Sequence, residues 1–509
     1  MSNNKRIAKN TMLLYIRMFF VLCINLYLSR AVLSALGVVD YGIYNVVAGV
    51  VSMFSFLVGS LSGAASRYLA IEVGKNDMEG FRRIFSSLLL IFLFFGVIIV
   101  VLGETVGLWF LETKLVIPVE RMNAARWLYQ FTILGAFLTF LQAPYTATII
   151  AYERMAIYAY VGIGEVLLKL FFVFLLSVLF LDKLILWGGL LTILSFLVLF
   201  CFYRYCTLVY SNTKFKLQKD RWAYRELLAY SGWDLVGSLS VIAQGQGINM
   251  VLNIFFGPVV NAARGIAYQV EAAINQFTNN FLMAVKPQLF KQYAAGDIGG
   301  MMSLVSFATK MSFILMYMLS LPILLELPYI LGLWLGNYPD YTVTFTSLVL
   351  VNNMLVVLRT TRGTIYHAMN KIKYTSTIFG LLFCLALPVS YWFCRIGYPP
   401  HYVFYSIIII NILVELIGLF VMKYFTGYSI RKYFFDVDFR CFLLVLFTTF
   451  PLYYIRENLN MGFLRLLMLA LVSTTIILAF SYIVCFTRIE RYKIFSLIKN
   501  GLLHFKQRV

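Results

Sequence analysis

Charged residues are scarce in this sequence: they make up 13% of its 509 residues, whereas hydrophobic residues make up 61%. A water-soluble domain of this length cannot bury so large an apolar fraction. Apolar runs of about 20 residues, the length that crosses a lipid bilayer, recur along nearly the whole chain. The low charge excludes a soluble protein and predicts an all-α integral membrane protein.

The motifs of common enzymes and pumps are also missing. The sequence has no GxxxxGK[ST], no GxSxG and no HExxH. It has three histidines, and none of its seven cysteines forms a CxxC pair, so no metal site and no disulfide framework are predicted. Asp436-Val-Asp438 matches the DxD of metal-dependent sugar transferases by chance, because no domain surrounds it. We therefore predict a protein with no catalytic residues, not an enzyme.

Fourteen apolar segments are long enough to be membrane helices. Their predicted limits are 11–35, 41–66, 84–110, 123–150, 155–181, 184–208, 227–256, 262–285, 302–326, 341–366, 374–396, 401–424, 439–456 and 461–487. With a cytoplasmic N-terminus, the inside segments carry 28 of the 42 Lys and Arg residues and the outside segments carry 8. This positive-inside bias predicts that both termini are cytoplasmic. The net charge of +20 then reflects topology and anionic lipid, and no nucleic-acid partner is predicted.

Short patterns near the start of the chain return 220 residues later. Gly37 in ALGVVDYG corresponds to Gly257 in FFGPVVNAARG, and Asp77 in GKNDMEG corresponds to Asp297 in AAGDIGG. AYERM and HAMNK form a third pair, whose basic residues, Arg154 and Lys371, are offset by 217 positions. Identical residues are few, so a chance match is the alternative. The common order of helices and turns favours a parallel repeat.

The repeat predicts two pseudo-symmetric six-helix bundles and two C-terminal helices. The predicted regions are an N-terminal bundle at 1–208, a basic cytoplasmic linker at 209–226, a C-terminal bundle at 227–424, and helices 13 and 14 with a basic cytoplasmic tail at 425–509. The protein is thus predicted to have about fourteen transmembrane helices.

Arginines within predicted membrane helices are candidates for contact with an anionic substrate. Arg17 and Arg30 lie in the first helix, and Arg359 and Arg362 lie in the tenth. Ionisable groups at this depth normally face the protein interior or a wet cavity. Snorkelling to the head groups is the alternative for Arg17, Arg30 and Arg359. Arginine can hold a phosphate through two hydrogen bonds, which suits an anionic head group.

Other polar side chains mark helices 7 and 8. Asp234 and Asn249 fall on one stripe of helix 7, which indicates either a cavity wall or tight helix packing. Gln276 and Asn280 share one face of helix 8, and Glu271 lies on nearly the opposite face. Such a helix is predicted to have little contact with lipid.

Five stretches carry a family likeness: LGVVDYGIYNVV, SGAASRYLAIEVGKND, AYERMAIYAYVGIGEVLLKL, SGWDLVGSLS and FFGPVVNAARGIAYQVEAAINQF. Together they resemble bacterial polysaccharide-export flippases, the Wzx-type members of the multidrug/oligosaccharidyl-lipid/polysaccharide (MOP) exporter superfamily. The resemblance implies two bundles around a central cavity, as in MATE transporters of this superfamily. It also implies that the chain flips an undecaprenyl-pyrophosphate-linked oligosaccharide, an O-antigen or capsular repeat unit, to the periplasmic leaflet of the bacterial inner membrane by alternating access.

The resemblance also suggests roles for the polar residues. Pyrophosphate or acidic-sugar contacts are predicted for Arg17, Arg30, Arg359 and Arg362. Sugar contacts are predicted for Asn25, Gln276, Asn280 and Asn352. Relatives couple transport to H⁺ or Na⁺, and Asp234 and Glu271 are the candidates here; no cofactor is expected otherwise. The expected partners are the glycan-lipid substrate, membrane lipids and other polysaccharide-assembly proteins.

The stretch ALGVVDYG and its copy are predicted to be turns on the outer side of the membrane. Glycine allows the tight reversal, and Asp40 lies at the water interface. We predict that the two turns face each other as an external gate, formed by Gly37, Asp40, Gly42, Gly257 and Arg264.

Three other classes of function compete with this one. A lipid II-type peptidoglycan precursor flippase or a drug/cation antiporter is nearest, although a cation carrier favours an acidic cavity. A polysaccharide polymerase needs a large outside loop, and the segment near 111–122 is short. A lipid scramblase or scaffold without energy coupling is the third. Flipping in proteoliposomes, with and without an ion gradient, distinguishes them.

Overall fold

Helices account for almost the whole of the described chain. The computed structural model describes residues 3–491 except 54, 76, 153, 180, 217–220, 370 and 489; side chains are described from residue 20 onward, with further gaps inside helices. No strand occurs in these residues. The α-helices are α1 (Asn3–Leu36), α2 (Val38–Ser52), α3 (Ser55–Lys75), α4 (Met78–Leu102), α5 (Leu108–Thr113), α6 (Met122–Ala151), α7 (Met155–Val178), α8 (Lys183–Val209), α9 (Arg221–Phe256), α10 (Pro258–Ala294), α11 (Ile298–Leu325), α12 (Leu327–Leu335), α13 (Thr342–Ala368), α14 (Ile372–Ile396), α15 (Tyr402–Thr426), α16 (Ile430–Tyr433), α17 (Phe439–Glu457) and α18 (Phe463–Phe480).

The predicted all-α membrane fold is confirmed. Each of the fourteen predicted segments coincides with a helix or with a broken run of helices. In the described part of the chain, ten helices are long and apolar enough to cross a membrane, or eleven if α1 and α2, bent by 118°, form one span. The count of fourteen is therefore approximate, and the difference arises at polar helices such as α10.

The helical run from α4 to α5 contains a local break that a side-chain contact stabilises. A π-turn, Gly103–Gly107, separates α4 from α5. The Tyr129 hydroxyl donates to the Gly103 carbonyl at 2.8 Å, which satisfies a backbone group that the wider turn exposes. A Cβ atom at Gly107 would overlap the same hydroxyl, so glycine is needed there.

The chain divides into two compact units. The first consists of Met1–Ile266, Asn337–Thr342 and Ser376–Val403, and the second of Ala267–Gly336, Val343–Thr375 and Phe404–Val509. The predicted limits of the two six-helix bundles are a different division and remain a prediction.

Each unit has its own apolar core. In the first unit, Ile43, Val46 and Val47 of α2 are fully buried in a cluster that includes residues of α6 and α8. In the second, Met316 of α11 and Leu444 of α17 are fully buried in a cluster that reaches α18. In contrast, many large apolar side chains elsewhere are exposed, as a lipid-facing surface requires.

Gly37 and Gly257 have almost the same backbone conformation. The φ angle is +79° at Gly37 and +77° at Gly257. Each N–H donates to the carbonyl four residues earlier, and each glycine ends one helix immediately before the next begins. A side chain is disfavoured at such φ values, so glycine suits both turns. The equal geometry is what the repeat predicts.

The two other repeated patterns also share local structure. Asp77 and Asp297 cap α4 and α11, each accepting from the N–H three residues later, at 2.9 Å and 2.7 Å. Each aspartate N–H donates to the carbonyl five residues earlier. The N–H groups of Arg154 and Lys371 do the same. Three sites of the sequence repeat thus have matching backbone hydrogen bonds.

Candidate functional site

The first turns of α2 and α10 are in contact in the first unit. A Cβ atom at Gly42 would overlap the backbone carbonyl oxygen of Pro258, and one at Gly265 would lie 2.7 Å from Asn45 Oδ1. Glycine at both positions lets the two helices approach this closely. The two turns that are predicted to form a gate are therefore each followed by a helix, and these two helices are in contact. The role of the turns as a gate remains a prediction.

Four asparagines, Asn45, Asn249, Asn253 and Asn261, extend this contact, and we call them the amide seam. Asn261 Nδ2 donates to Asn249 Oδ1 at 2.8 Å, and Asn253 Nδ2 donates to Asn261 Oδ1 at 3.0 Å. Asn249 Nδ2 donates to the Asn45 carbonyl at 3.3 Å, and Asn253 Oδ1 accepts the Val116 N–H at 2.7 Å. Asn249, Asn253 and Asn261 are at most 2% exposed. The seam joins α2, α9, α10 and the loop before α6.

A charged triad joins the starts of three helices. Arg121 Nη2 donates to Asp40 Oδ2 and Arg121 Nη1 donates to Asp182 Oδ2, both at 2.6 Å. Asp182 also caps α8, accepting the Leu184 N–H at 3.0 Å. Burial alone would raise the pKa of Asp182, but the hydrogen bonds from Arg121 and the backbone hold that pKa below its ordinary value. The triad fixes α2, α6 and α8 beside the seam.

Arg30 lines a cavity of about 510 Å³ between α1 and α7. Lys183, the first residue of α8, is a second cation in its lining, and Leu170, Val173 and Phe174 supply apolar surface. Both cations are exposed. The cavity thus combines positive charge with an apolar wall on α7.

Arg359 and Arg362 bind α15 within the second unit. Arg359 Nη1 donates to Asn411 Oδ1 at 2.5 Å, and Asn411 Nδ2 donates to Asn352 Oδ1 at 2.7 Å. Arg362 Nη2 forms an ion pair with Glu415, and Arg362 is 1% exposed. The predicted substrate contacts of Arg359, Arg362 and Asn352 remain predictions, and they require these bonds to rearrange.

Three further predicted substrate and coupling residues, Asn25, Glu271 and Gln276, lie on α1 and α10. Asn25 is exposed on α1, and Gln276 is half-buried on α10. Glu271 accepts from Asn275 Nδ2 at 3.2 Å. The roles predicted for these residues also remain predictions.

Three predicted side chains, those of Arg17, Asp234 and Asn280, lie outside the described residues. Arg264, predicted in the gate, is 7% exposed and donates to the Gly245 carbonyl at 2.6 Å. Within the part of the chain that is described, no group of three His, Cys, Asp or Glu residues is placed to hold a metal ion.

Sequence reasoning missed five polar residues that organise these contacts: Arg121, Asp182, Asn253, Asn261 and Glu415. Asp182 had a usable signal, because an aspartate directly before an apolar run is typical of a helix N-cap. Asn253 also had one, since it follows Asn249 by four residues and shares its helix face. Arg121 and Glu415 are defined by partners far away in the sequence, and Asn261 by partners on the preceding helix.

Replacing Asn261 by leucine is expected to destabilise the first unit. The change removes a donor to Asn249 and an acceptor for Asn253, and each buried amide group left unpaired costs about 1–3 kcal/mol. Thermal unfolding of the full chain in lipid nanodiscs measures the loss. Asn458→Leu, at an exposed position, is the control. Equal midpoints for both variants would contradict the importance of the seam.

Known proteins are similar to this chain in structure but not in sequence. No family model matches it, and no curated protein matches it. The solved lipid II flippase MurJ, in an inward closed conformation, matches with a TM-score of 0.67 at 14% identity, over 94% of this chain and 98% of that chain. The MATE multidrug transporter DinF-BH in complex with R6G matches with a TM-score of 0.61 at 15% identity, over 83% of this chain and 96% of that chain.

An outward-facing multidrug resistance MATE family transporter of the MOP superfamily also matches, with a TM-score of 0.58 at 16% identity, over 83% of this chain and 96% of that chain. These neighbours are flippases and transporters, and their likeness to this chain shows its fold. The protein is a multi-pass membrane protein with the helical fold of MOP-superfamily flippases and transporters.

Proposed function

We propose that this protein flips an undecaprenyl-pyrophosphate-linked oligosaccharide, an O-antigen or capsular repeat unit, from the cytoplasmic to the periplasmic leaflet of the bacterial inner membrane. The fold shared with a lipid II flippase supports a lipid-linked substrate. A pyrophosphate-sugar head has many polar groups, and each would cost several kcal/mol without partners in hydrocarbon. Transport therefore needs polar, cationic surface at membrane depth.

The α1–α7 cavity is the observation that carries this proposal. Arg30 and Lys183 provide two positive charges, and Leu170, Val173 and Phe174 provide apolar surface in the same cavity. Arginine and lysine bind phosphate oxygens through charge-assisted hydrogen bonds. An anionic head group on a prenyl tail matches both surfaces, since the tail can lie along α7. A cationic drug lacks the negative charge for which this lining is suited.

The contact between α2 and α10 is the proposed outer gate. Its close backbone approach and buried amides block passage between these two helices. The head group leaves toward the periplasm when the seam opens, and the triad of Asp40, Arg121 and Asp182 keeps α2 attached to α6 and α8. Arg30 and Lys183 would then receive the pyrophosphate near the outer leaflet.

Substitution of the two cations tests the proposal. In proteoliposomes holding the full chain, Arg30→Ala and Lys183→Ala are each expected to weaken binding of the lipid-linked oligosaccharide and so to reduce its flipping. A hydrogen bond to a charged group contributes about 1.5–3 kcal/mol, which corresponds to a roughly 10- to 150-fold loss of affinity. Arg126→Ala, which removes a surface ion pair with Glu112, is the matched control. Unchanged flipping in both cavity variants would refute the assigned site.

A lipid II-type precursor is a second candidate substrate. The similarity to the lipid II flippase covers nearly the whole chain, and lipid II presents the same kind of anionic lipid head. Competition in the same vesicles separates the two substrates. We expect the polysaccharide repeat unit to be flipped in preference; preferential flipping of lipid II would assign the chain to peptidoglycan synthesis instead.

A further inference from the structure

A buried carboxylate in the second unit has no role in the proposed substrate path. Asp438 ends a π-turn, Phe434–Asp438, directly before α17, and it is 9% exposed. Neither of its carboxylate oxygens has a hydrogen-bond partner within the described part of the chain. A carboxylate removed from water without donors is unfavourable as an anion, so Asp438 needs a bound proton or a cation.

Asp438 shares a positive neighbour with a second carboxylate. Arg362, almost fully buried, pairs through Nη2 with Glu415. Asp438 is attracted by the same Arg362 and repelled by Glu415. Arg362 Nη1 and Glu415 Oε2 are buried and, among the described residues, have no hydrogen-bond partner. One guanidinium thus attracts two carboxylates, and all three groups keep unused hydrogen-bonding capacity.

The other charged and titratable groups around this cluster have partners of their own. On α13, Arg359 bonds to Asn411, and Tyr366 bonds to the Gly418 carbonyl. Tyr433 of α16 bonds to Thr309, and Lys310 of α11 bonds to Glu490 and Asp436. Cys441 of α17 bonds to Cys485. The positive charge of Lys310 is therefore matched without Asp438. The electrostatic effect of neighbouring charges on Asp438 therefore comes from Arg362 and Glu415.

We infer that Asp438 binds one exchangeable proton beside the ion pair of Arg362 and Glu415. Two carboxylates around one guanidinium carry a surplus negative charge, and neighbouring carboxylates do not readily ionise together. A proton on Asp438 removes the surplus. A metal cation would lie beside the Arg362 guanidinium, where like charges repel, so Na⁺ is disfavoured.

Release of the proton would change the contact between α15 and the π-turn. It leaves Glu415 and Asp438 both negative beside a single guanidinium, and their repulsion favours separation of α15 from Phe434–Asp438. The use of this step to drive flipping rests on the proposed function. The proton site itself does not, because it depends on groups within the second unit.

Infrared difference spectroscopy of the full chain in lipid nanodiscs tests the site. A pH titration from neutral to alkaline is expected to show loss of the C=O band of a protonated carboxyl. Asp438→Asn is expected to remove this band. Glu415→Gln removes the charge that repels ionised Asp438, so the band should be lost at lower pH. Glu457→Gln, at an exposed carboxylate, is expected to leave the band and its midpoint unchanged. Replacing K⁺ by Na⁺ in the buffer is expected to leave the band unchanged.

Two results would overturn the inference. One is a band that persists in Asp438→Asn or is absent from the wild type; the other is displacement of the band by Na⁺, which would make the site a metal-cation site. If Asp438→Asn does not fold, Glu415→Gln decides: an unchanged midpoint of the band in that variant would overturn the inference. Flipping in proteoliposomes is measured separately, so a chain with the band but no glycolipid transport would refute the proposed function and keep the proton site.

Discussion

Gly42→Val is expected to hold the first turns of α2 and α10 apart. The added side chain would overlap the backbone carbonyl of Pro258, and backbone cannot move aside as a side chain can. Overpacking of this kind costs about 1–3 kcal/mol. The population with a closed seam should therefore fall roughly 5- to 150-fold relative to the open one. If the seam is the outer gate, the variant favours the form that is open to the periplasm.

Spin-label distances measure this opening. The labels are attached at Val39→Cys and Val259→Cys, which lie beside the seam and are 38% and 37% exposed, in a background without the seven native cysteines. The distance distribution should widen toward longer values in Gly42→Val. Gly164→Val is the matched control, because a Cβ atom there meets nothing within 4 Å. Identical distance distributions in the two variants would show that the contact between Gly42 and Pro258 does not control the separation of α2 and α10.

The helices of this protein can be predicted from sequence because lipid imposes one strong rule. A backbone in hydrocarbon must satisfy its own hydrogen bonds, so each apolar run of about 20 residues forms a helix. The breaks do not follow that rule. The π-turn at Gly103–Gly107 depends on a hydroxyl from Tyr129, which is 26 residues away, and the sequence near the turn does not reveal that partner.

The candidate site could be predicted by residue type but not by pairing. Arg359 and Arg362 stand out in an apolar helix, yet what they do depends on Asn411 and Glu415 on another helix. Packing sets these pairs, and a pattern within one helix carries no information about its neighbour. Repeats are the exception: the shared offset of 220 residues correctly predicted that Gly37 and Gly257 form equivalent turns.

Lys310→Met is expected to destabilise the second unit by about 3–5 kcal/mol, the usual consequence of breaking a buried ion pair. The lysine side chain is fully buried, and its Nζ lies 2.8 Å from Glu490 Oε2 and 3.4 Å from Asp436 Oδ1. Methionine fills nearly the same volume, so the loss comes from charge and not from a cavity. Asp436 keeps Arg440 as a neighbour at 3.8 Å, whereas Glu490 is left without its cation.

A double-mutant cycle isolates that stranded charge. Glu490→Gln in the Lys310→Met background replaces the carboxylate by a neutral amide, so most of the lost stability should return. Thr487, whose N–H and hydroxyl donate to Glu490 Oε2 at 2.7 Å and 2.9 Å, can still bond the amide oxygen. Unfolding midpoints of the four proteins in lipid give the coupling energy. If the double variant is no more stable than Lys310→Met, the lysine acts through packing, because the charge it leaves behind would then carry no penalty.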